Sequence, residues 1–166
     1  MHSFENHIRN VADFPKPGVV FKDISPLMKE RFNEVIDELC KTIPWNEIDY
    51  VVGIESRGFI LGAAMAQKHN KGFIPVRKKG KLPPPTMSES YALEYGTDTL
   101  EMIINSSPCR VVVVDDVLAT GGTLKAVMNL CKKNYMEVKA LSILINLTFL
   151  NKFKEEGFPV HSVLNY

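Results

Sequence analysis

Two adjacent aspartates, Asp115 and Asp116, stand between a run of four valines and a turn of small residues. The whole stretch, from Val111 to Thr123, reads VVVVDDVLATGGT. A pair of carboxylates can accept hydrogen bonds from two neighbouring hydroxyl groups, such as the 2′ and 3′ hydroxyls of a ribose. Small residues before a helix can bring backbone amides onto a phosphate. This order of residues predicts a site for a phosphorylated sugar.

The turn itself has the composition of a phosphate loop, and its members are Ala119, Thr120, Gly121, Gly122 and Thr123. The glycines permit positive φ, the amides can converge at the positive end of a helix dipole, and the threonines add hydroxyl donors. The alternative is an acid pair that only caps the next helix, with glycines that only make a turn. The full set of features in one order favours the phosphate loop. The sequence contains neither a GxxxxGK[ST] nor a GxGxxG motif, so this loop is not a P-loop or a dinucleotide fingerprint.

Two further segments carry charge suited to a pyrophosphate. Glu55, Ser56 and Arg57 lie between an apolar run and a helical pattern, where amides and a guanidinium can hold an anion; the alternative is an arginine that caps the helix. A basic run, consisting of Arg77, Lys78, Lys79 and Lys81, follows another apolar run. Such a run is usually a solvated surface or a weak nucleic-acid patch. Its position at the root of a long glycine- and proline-containing segment favours a lid.

The elements that would position these residues alternate between apolar runs and helical periodicity, which predicts an α/β fold with a parallel sheet flanked by helices. The predicted helices are Arg31 to Thr42, Phe59 to His69 and Thr123 to Lys133. The predicted strands are Tyr50 to Ile54, Gly72 to Arg77, Val111 to Val114 and Val138 to Ile145. Lys78 to Asp98 has no helical period, and we expect Ser88 to Tyr95 and Thr99 to Ile104 to pair around Gly96 as a flexible flap.

Composition limits the class of protein. A chain of 166 residues with 45% apolar residues predicts one compact domain. A net charge of +1 gives no general attraction to nucleic acid or membranes. Three cysteines without CxxC spacing, an N-terminus without an apolar signal region and the lack of a long apolar segment predict a reduced, cytoplasmic protein.

The VVVVDDVLATGGT stretch resembles the phosphoribosyl-pyrophosphate motif of type I phosphoribosyltransferases. Other segments resemble the adenine phosphoribosyltransferase family in particular, over nearly the whole chain: DFPKPGVVFKDISP, ESRGF, RKKGKLP and SYALEYG. Read alone, FPKPGVVFKD is a rigid turn and an extended aromatic segment, equally suited to an edge strand over the core. The resemblance implies instead that PGVVF lines a base pocket, in a small hood formed by the N-terminal segment. There Phe21 stacks on the purine, Val20 and Lys22 read its edge through backbone groups, and Leu147 packs on the base.

The resemblance also implies the remaining roles. Transfer of the phosphoribosyl group from 5-phospho-α-D-ribose 1-diphosphate to adenine would give AMP and pyrophosphate. Arg57 and Lys81 would offset the leaving group's charge, Glu94 would act as acid and base, and Arg77, Glu55 and Ser56 would bind the pyrophosphate, with a cis peptide after Glu55. Mg²⁺ would be bound through substrate and water, and the protein would be a homodimer.

Two alternatives stay open at this point. A transferase for another purine base would keep the ribose phosphate site and change the base pocket. A regulator that binds phosphoribosyl pyrophosphate without turnover would keep the fold; SYALEYG, with Glu94, argues against it. One departure concerns the base: the family commonly has glutamate where this chain has Asn146. An asparagine can donate and accept, and could soften the base preference by turning its amide.

Overall fold

The computed structural model describes residues 4–93, 96–151, 153 and 160–166. They form two units, one that ends at Glu38 and one that runs from Leu39 to Tyr166. The prediction that the chain works as one domain stays a prediction. Within the described part of the chain, no helix combines the length and apolar character needed to cross a membrane.

The first unit contains a two-stranded antiparallel sheet and short helices. Strand β1 is Arg9–Ala12, strand β2 is Val20–Asp23, and helix α1 is Ser25–Glu30. Asp13 Oδ1 accepts a hydrogen bond of 2.7 Å from the Gly18 amide within the connection between the strands. Gly18 has a φ of +83°, which suits glycine because it carries no Cβ. Strand β2 contains Phe21 and is the extended segment that the sequence predicted there.

Helix α2, Phe32–Cys40, leads into the second unit. The other helices are α3, Arg57–Lys68, and α4, Gly122–Lys133. The strands are β3, Tyr50–Ile54; β4, Gly72–Lys78; β5, Thr86–Leu93; β6, Gly96–Ile103; β7, Cys109–Leu118; β8, Met136–Asn146; and β9, Val160–Asn165.

These seven strands form one sheet in the order β5-β6-β4-β3-β7-β8-β9. Strands β4, β3, β7, β8 and β9 are parallel, and β5 and β6 form an antiparallel hairpin at one edge. The four valines of β7 are fully buried in the core, as expected for a central strand of a parallel sheet. The predicted α/β class is confirmed, and the carboxyl end of β7 lies where ligands bind in open α/β sheets.

The sequence placed most elements within a few residues, but the strand that carries the acid pair differs. Asp115 and Asp116 were expected after the strand, whereas β7 continues to Leu118. The reason is that β8 also continues, so that Leu118 pairs with Asn146. The predicted hairpin around Gly96 is present with shifted ends. Strand β9 was not predicted, because its polar residues give it no apolar run.

Candidate active site

The two aspartates of β7 form a buried acid pair. Asp115 Oδ1 accepts a hydrogen bond of 2.8 Å from the Asp116 amide. Arg57 Nη2, at the start of α3, lies 2.6 Å from Asp116 Oδ2. Asp116 Oδ2 is buried, and apart from this ion pair it has no hydrogen-bond partner among the described residues. The pair thus retains capacity to accept hydrogen bonds from a ligand.

Burial raises the pKa of both carboxyls. For Asp115 the rise is large, because burial is reinforced by the neighbouring negative charge of Asp116. The pKa of Asp116 is also raised by burial, but the Arg57 guanidinium opposes the rise. Two neighbouring carboxyls whose pKa values are raised by burial in this way are typical of a functional site.

Gly58 explains how α3 can lie so close to the acid pair. A Cβ atom at this position would stand 3.0 Å from Asp115 Oδ1 and 3.0 Å from the Val114 carbonyl oxygen. Any larger residue would press on the backbone of β7. The glycine of ESRGF therefore brings the start of α3, and with it Arg57, against the acids.

The predicted phosphate loop connects β7 to α4. Gly121 has a φ of +90°, and α4 begins at the next residue. A small cavity is lined by Asp115, Ala119, Thr120, Gly121 and Thr123, among others. The loop and one acid of the pair thus line one cavity. The described geometry places loop amides at the positive end of the α4 dipole.

The predicted pyrophosphate loop lies at the end of β3. The peptide between Glu55 and Ser56 is cis, as predicted. Glu55 Oε1 lies 2.6 Å from Lys81 Nζ, and Glu55 Oε2 accepts hydrogen bonds from Arg77 Nε at 3.3 Å and the Lys78 amide at 3.0 Å. Burial would raise the pKa of Glu55, but Lys81, the Lys78 amide and Arg77 together outweigh it and lower the pKa to about 2.

The basic run is therefore only partly a solvated surface. Arg77 and Lys81 turn towards Glu55, and Arg77 Nη1 also donates to the Lys81 carbonyl oxygen at 3.0 Å. Lys78 Nζ instead lies 3.2 Å from Asp98 on β6. Two cations are thus gathered beside the predicted pyrophosphate loop.

The predicted base residues divide among different parts of the chain. Val20, Phe21 and Lys22 belong to β2 of the first unit, where the Phe21 ring meets the Phe14 ring edge to face at 5.1 Å. Leu147 follows β8, and its amide donates to the Leu118 carbonyl oxygen at 2.9 Å. Glu94 lies outside the described residues.

Two residues beside the site were not singled out from the sequence. Tyr91 of β5 receives a hydrogen bond of 3.3 Å from Thr123 Oγ1. Asn151 Nδ2 lies 2.6 Å from the Ala119 carbonyl oxygen and 2.9 Å from the Leu147 carbonyl oxygen. Tyr91 stands in the SYALEYG segment, which was a signal. Asn151 gave no such signal, because Ala119, with which it makes its shortest contact, lies 32 positions away in the sequence.

An α/β sheet with an acid pair and a glycine-containing turn at its central strand suits the binding of a sugar phosphate. The model of the phosphoribosyl transferase domain family matches residues 23–159. The adenine phosphoribosyltransferase of Bdellovibrio bacteriovorus is 52% identical and is matched over 96% of both chains. The chain therefore belongs to the phosphoribosyl transferase family and, within it, to the adenine phosphoribosyltransferases.

Solved structures agree with this assignment. The adenine phosphoribosyltransferase of Rhodothermus marinus superposes with a TM-score of 0.91 at 47% identity, covering 98% of this chain and 96% of that chain. The enzyme of Saccharomyces cerevisiae, in complex with adenine and an imino-altritol bisphosphate, superposes with a TM-score of 0.82 at 35% identity. That match covers 89% of this chain and 88% of the yeast chain.

Proposed function

We propose that this chain transfers the phosphoribosyl group of 5-phospho-α-D-ribose 1-diphosphate to adenine, giving AMP and pyrophosphate. A purine nitrogen forms a bond to the anomeric carbon, and the bond from that carbon to the pyrophosphate oxygen breaks with its electron pair. The nitrogen's proton must be removed. Positive charge develops on the ribose ring and negative charge on the leaving group, so the site must stabilise both.

The observation that carries this proposal is the buried acid pair, which adjoins the phosphate loop in a chain of this family. Asp115 and Asp116 accept hydrogen bonds from the ribose hydroxyls, and their negative charge favours the cationic ring. The 5-phosphate binds the amides from Ala119 to Thr123, with the hydroxyls of Thr120 and Thr123. The Asp116 oxygen that accepts no hydrogen bond among the described residues supports the first assignment.

The pyrophosphate binds the Glu55–Ser56 loop with Arg57, Arg77 and Lys81. In the structure each of these cations already contacts a carboxylate, since Arg57 pairs with Asp116 and the other two with Glu55. Those contacts hold the cations in place before the substrate arrives, which reduces the reorganisation needed on binding. The pyrophosphate then takes over part of the pairing.

The base is held by Phe21, which stacks on it, by backbone groups of Val20 and Lys22, and by Leu147. Glu94 acts as the general acid and base that transfers the proton of the purine nitrogen. These roles rest on the family resemblance of PGVVF and LEYG. The hood formed by the N-terminal segment is part of the same proposal.

Magnesium is the implied cofactor, and the donor set suits it. Mg²⁺ prefers oxygen ligands and retains several waters. Asp116 Oδ2 is a buried carboxylate oxygen that can accept a hydrogen bond from such a water. When bound through substrate oxygens, the ion supplies charge that offsets the pyrophosphate. In the described residues no group of three histidine, cysteine or acidic side chains is placed to ligate a metal directly.

The proposal extends to the setting of the reaction. The family resemblance supports a homodimer that acts in the cytoplasm as a single domain per chain, with residues 78–98 as a flap that moves. Closing of the flap would exclude water from the cationic ring during transfer.

A base panel tests the function. Adenine, hypoxanthine, guanine and xanthine are each offered with phosphoribosyl pyrophosphate and magnesium, and nucleotide formation is followed. Hypoxanthine reverses the donor and acceptor that adenine presents, so two buried contacts would be mismatched. At about 1–3 kcal/mol for each unpaired group, we expect adenine to be preferred by at least about 100-fold in kcat/KM. Comparable use of hypoxanthine would support a transferase for another purine, and binding without nucleotide formation would support a regulator.

A further inference from the structure

The side-chain amide of Asn151 lies among four oxygen atoms from the segments on either side of the phosphate loop. Its Nδ2 atom is 2.6 Å from the Ala119 carbonyl oxygen, 2.9 Å from the Leu147 carbonyl oxygen, 3.2 Å from Asn146 Oδ1 and 3.4 Å from the Leu118 carbonyl oxygen. Because an amide nitrogen has two hydrogens, the two shortest contacts, to Ala119 and Leu147, take them.

The orientation of this amide follows from its neighbours. The reverse orientation would place Asn151 Oδ1 against carbonyl oxygens, which have no hydrogen to donate. In the observed orientation Oδ1 accepts a hydrogen bond of 3.1 Å from the Phe153 amide. The Phe153 ring in turn lies against Gly121, where a Cβ atom would stand 2.7 Å from Phe153 Cδ2. Asn151 therefore contacts the phosphate loop at Ala119 directly and at Gly121 through Phe153.

The direction of two carbonyls determines the direction of two amides. The Ala119 carbonyl points to Asn151, and the Leu118 carbonyl points to the Leu147 amide at 2.9 Å. In a trans peptide the N–H points opposite to the C=O. The amides of Ala119 and Thr120 are therefore both turned away from Asn151. Successive amides that point to one side form a concave anion site.

The same side chain also reaches the base side of the site. Through the Leu147 carbonyl it holds the residue after β8, and through Asn146 Oδ1 it contacts the side chain at the position where this family commonly has glutamate. Since both hydrogens of Asn151 Nδ2 go to the two carbonyl oxygens, the 3.2 Å approach to Asn146 Oδ1 is a packing contact. The amide at 146 is thus engaged in the packing of the loop.

We propose that Asn151 is a positioning residue for this reaction: it holds the Ala119 and Thr120 amides towards the 5-phosphate and couples that loop to the Leu147 segment. The inference rests on the proposed function, since it concerns the same site. Asn151 itself contacts backbone and side chains rather than the substrate, so its removal should weaken phosphate binding more than it alters the reacting groups.

The test is calorimetric titration of ribose 5-phosphate into wild-type protein, Asn151→Asp and Asn151→Ala. The aspartate keeps the shape and loses both donors, and the alanine removes the side chain without adding charge. The matched control is Asn134→Ala, because Asn134 Nδ2 donates to the Ile103 carbonyl oxygen at 2.7 Å and its Oδ1 accepts from the Asn105 amide at 2.8 Å. This asparagine makes equivalent backbone contacts away from the loop.

We expect the Kd for ribose 5-phosphate to rise by about 10-fold or more in both Asn151 variants, which corresponds to the loss of one or two hydrogen bonds. The KM for phosphoribosyl pyrophosphate should rise in parallel, with a smaller change in kcat. Asn134→Ala should lower Tm and leave the Kd unchanged. If Asn151→Asp does not fold, Asn151→Ala decides the matter. A wild-type Kd in Asn151→Ala, or wild-type protein that fails to bind ribose 5-phosphate, would overturn the inference. The proposed function is overturned separately, by wild-type protein that forms no AMP from adenine and phosphoribosyl pyrophosphate.

Discussion

At the scale of single residues, the acid pair carries a conflict between folding and function. Burial raises the pKa of Asp115 and Asp116 from the ordinary value of 3.8, although the proposed ribose contacts need both as acceptors. A carboxyl whose pKa is higher in the folded state than in the unfolded state lowers the free energy of unfolding of the protein as the pH rises between the two values. The acid pair that would bind the ligand therefore lowers the folding stability of the protein.

The double variant Asp115→Asn with Asp116→Asn should use phosphoribosyl pyrophosphate poorly, with a rise in its KM far larger than any change in adenine binding. The reason is that ionised acceptors for the ribose hydroxyls are lost. Steady-state kinetics with each substrate varied in turn would measure this. Asp49→Asn is the control, because Asp49 pairs with Arg110 at 2.8 Å and has no proposed part in binding. Unchanged kcat/KM in the double variant would remove the ribose assignment.

The single variant Asp115→Asn should be more stable than the wild type at pH 8, because the raised pKa of Asp115 costs the wild type stability above the ordinary value and a neutral amide of the same shape does not titrate. The gain should shrink as the pH falls and the wild-type carboxyl takes up its proton. Urea unfolding at pH 5 and pH 8 measures the difference. A variant less stable than the wild type at pH 8 would contradict the argument.

Arg57→Met should move the acid limb of the pH profile for phosphoribosyl pyrophosphate to higher pH. The Arg57 guanidinium opposes the rise in the pKa of Asp116, so its removal lets burial raise that pKa further. The profile of kcat/KM between pH 5 and pH 9 reports the shift apart from any general loss of rate. Arg110→Met serves for comparison, and identical acid limbs in wild type and Arg57→Met would argue against the pairing.

At the scale of elements, the hairpin of β5 and β6 is attached to the phosphate-loop helix. Glu89 Oε2 lies 2.5 Å from Lys133 Nζ, and Glu89 Oε1 accepts from Asn129 Nδ2 at 3.0 Å. Tyr91, two residues further on β5 and so on the same face, contacts Thr123. The body of the proposed flap is thus linked to α4, which predicts that these contacts restrain Thr86–Leu93.

Glu89→Gln should loosen this attachment, because the neutral amide cannot form an ion pair with the Lys133 ammonium. Backbone amides of Thr86–Leu93 should exchange faster with solvent than in the wild type, without substrate. Hydrogen exchange followed by mass spectrometry would test this, with Glu137→Gln as control for an exposed pair with Lys139. Equal exchange in the two variants would mean that the Lys133 contact does not restrain the hairpin.

At the scale of the whole molecule, stability against pH is a sum of opposite contributions. Glu55 has its pKa lowered from 4.5 to about 2, so its stabilisation is complete above the ordinary value and disappears as the pH falls to about 2. The raised pKa of the acid pair acts in the reverse sense. Because the two contributions act in different pH ranges, stability should rise from about pH 2 as Glu55 ionises and fall again above the ordinary pKa of 3.8 of the acid pair.

Glu55→Gln should be less stable than the wild type at pH 6, and the two proteins should converge as the pH approaches 2. Thermal unfolding across that range measures the difference. A gap that stays constant at all pH values would show that the lost packing, and not the charge, is responsible.

The amino-acid sequence by itself determined the α/β class, most of its elements and the turn from Ala119 to Thr123 between β7 and α4. These depend on local patterns, because apolar periodicity and glycine-rich turns act within a few residues of chain. The valine run of β7 and the loop from Ala119 to Thr123 are examples. The family resemblance added the reaction and the cis peptide after Glu55.

Only the tertiary structure decided which polar groups come into contact. Lys81 reaches Glu55 across 26 positions of the chain, and Asn151 reaches Ala119 across 32. Neither pair has a sequence pattern, because each contact depends on the order of strands in the sheet and on where the loops return to its edge. The continuation of β7 through Asp115 and Asp116 was likewise decided by its neighbour β8, since a strand extends as far as its partner can pair with it.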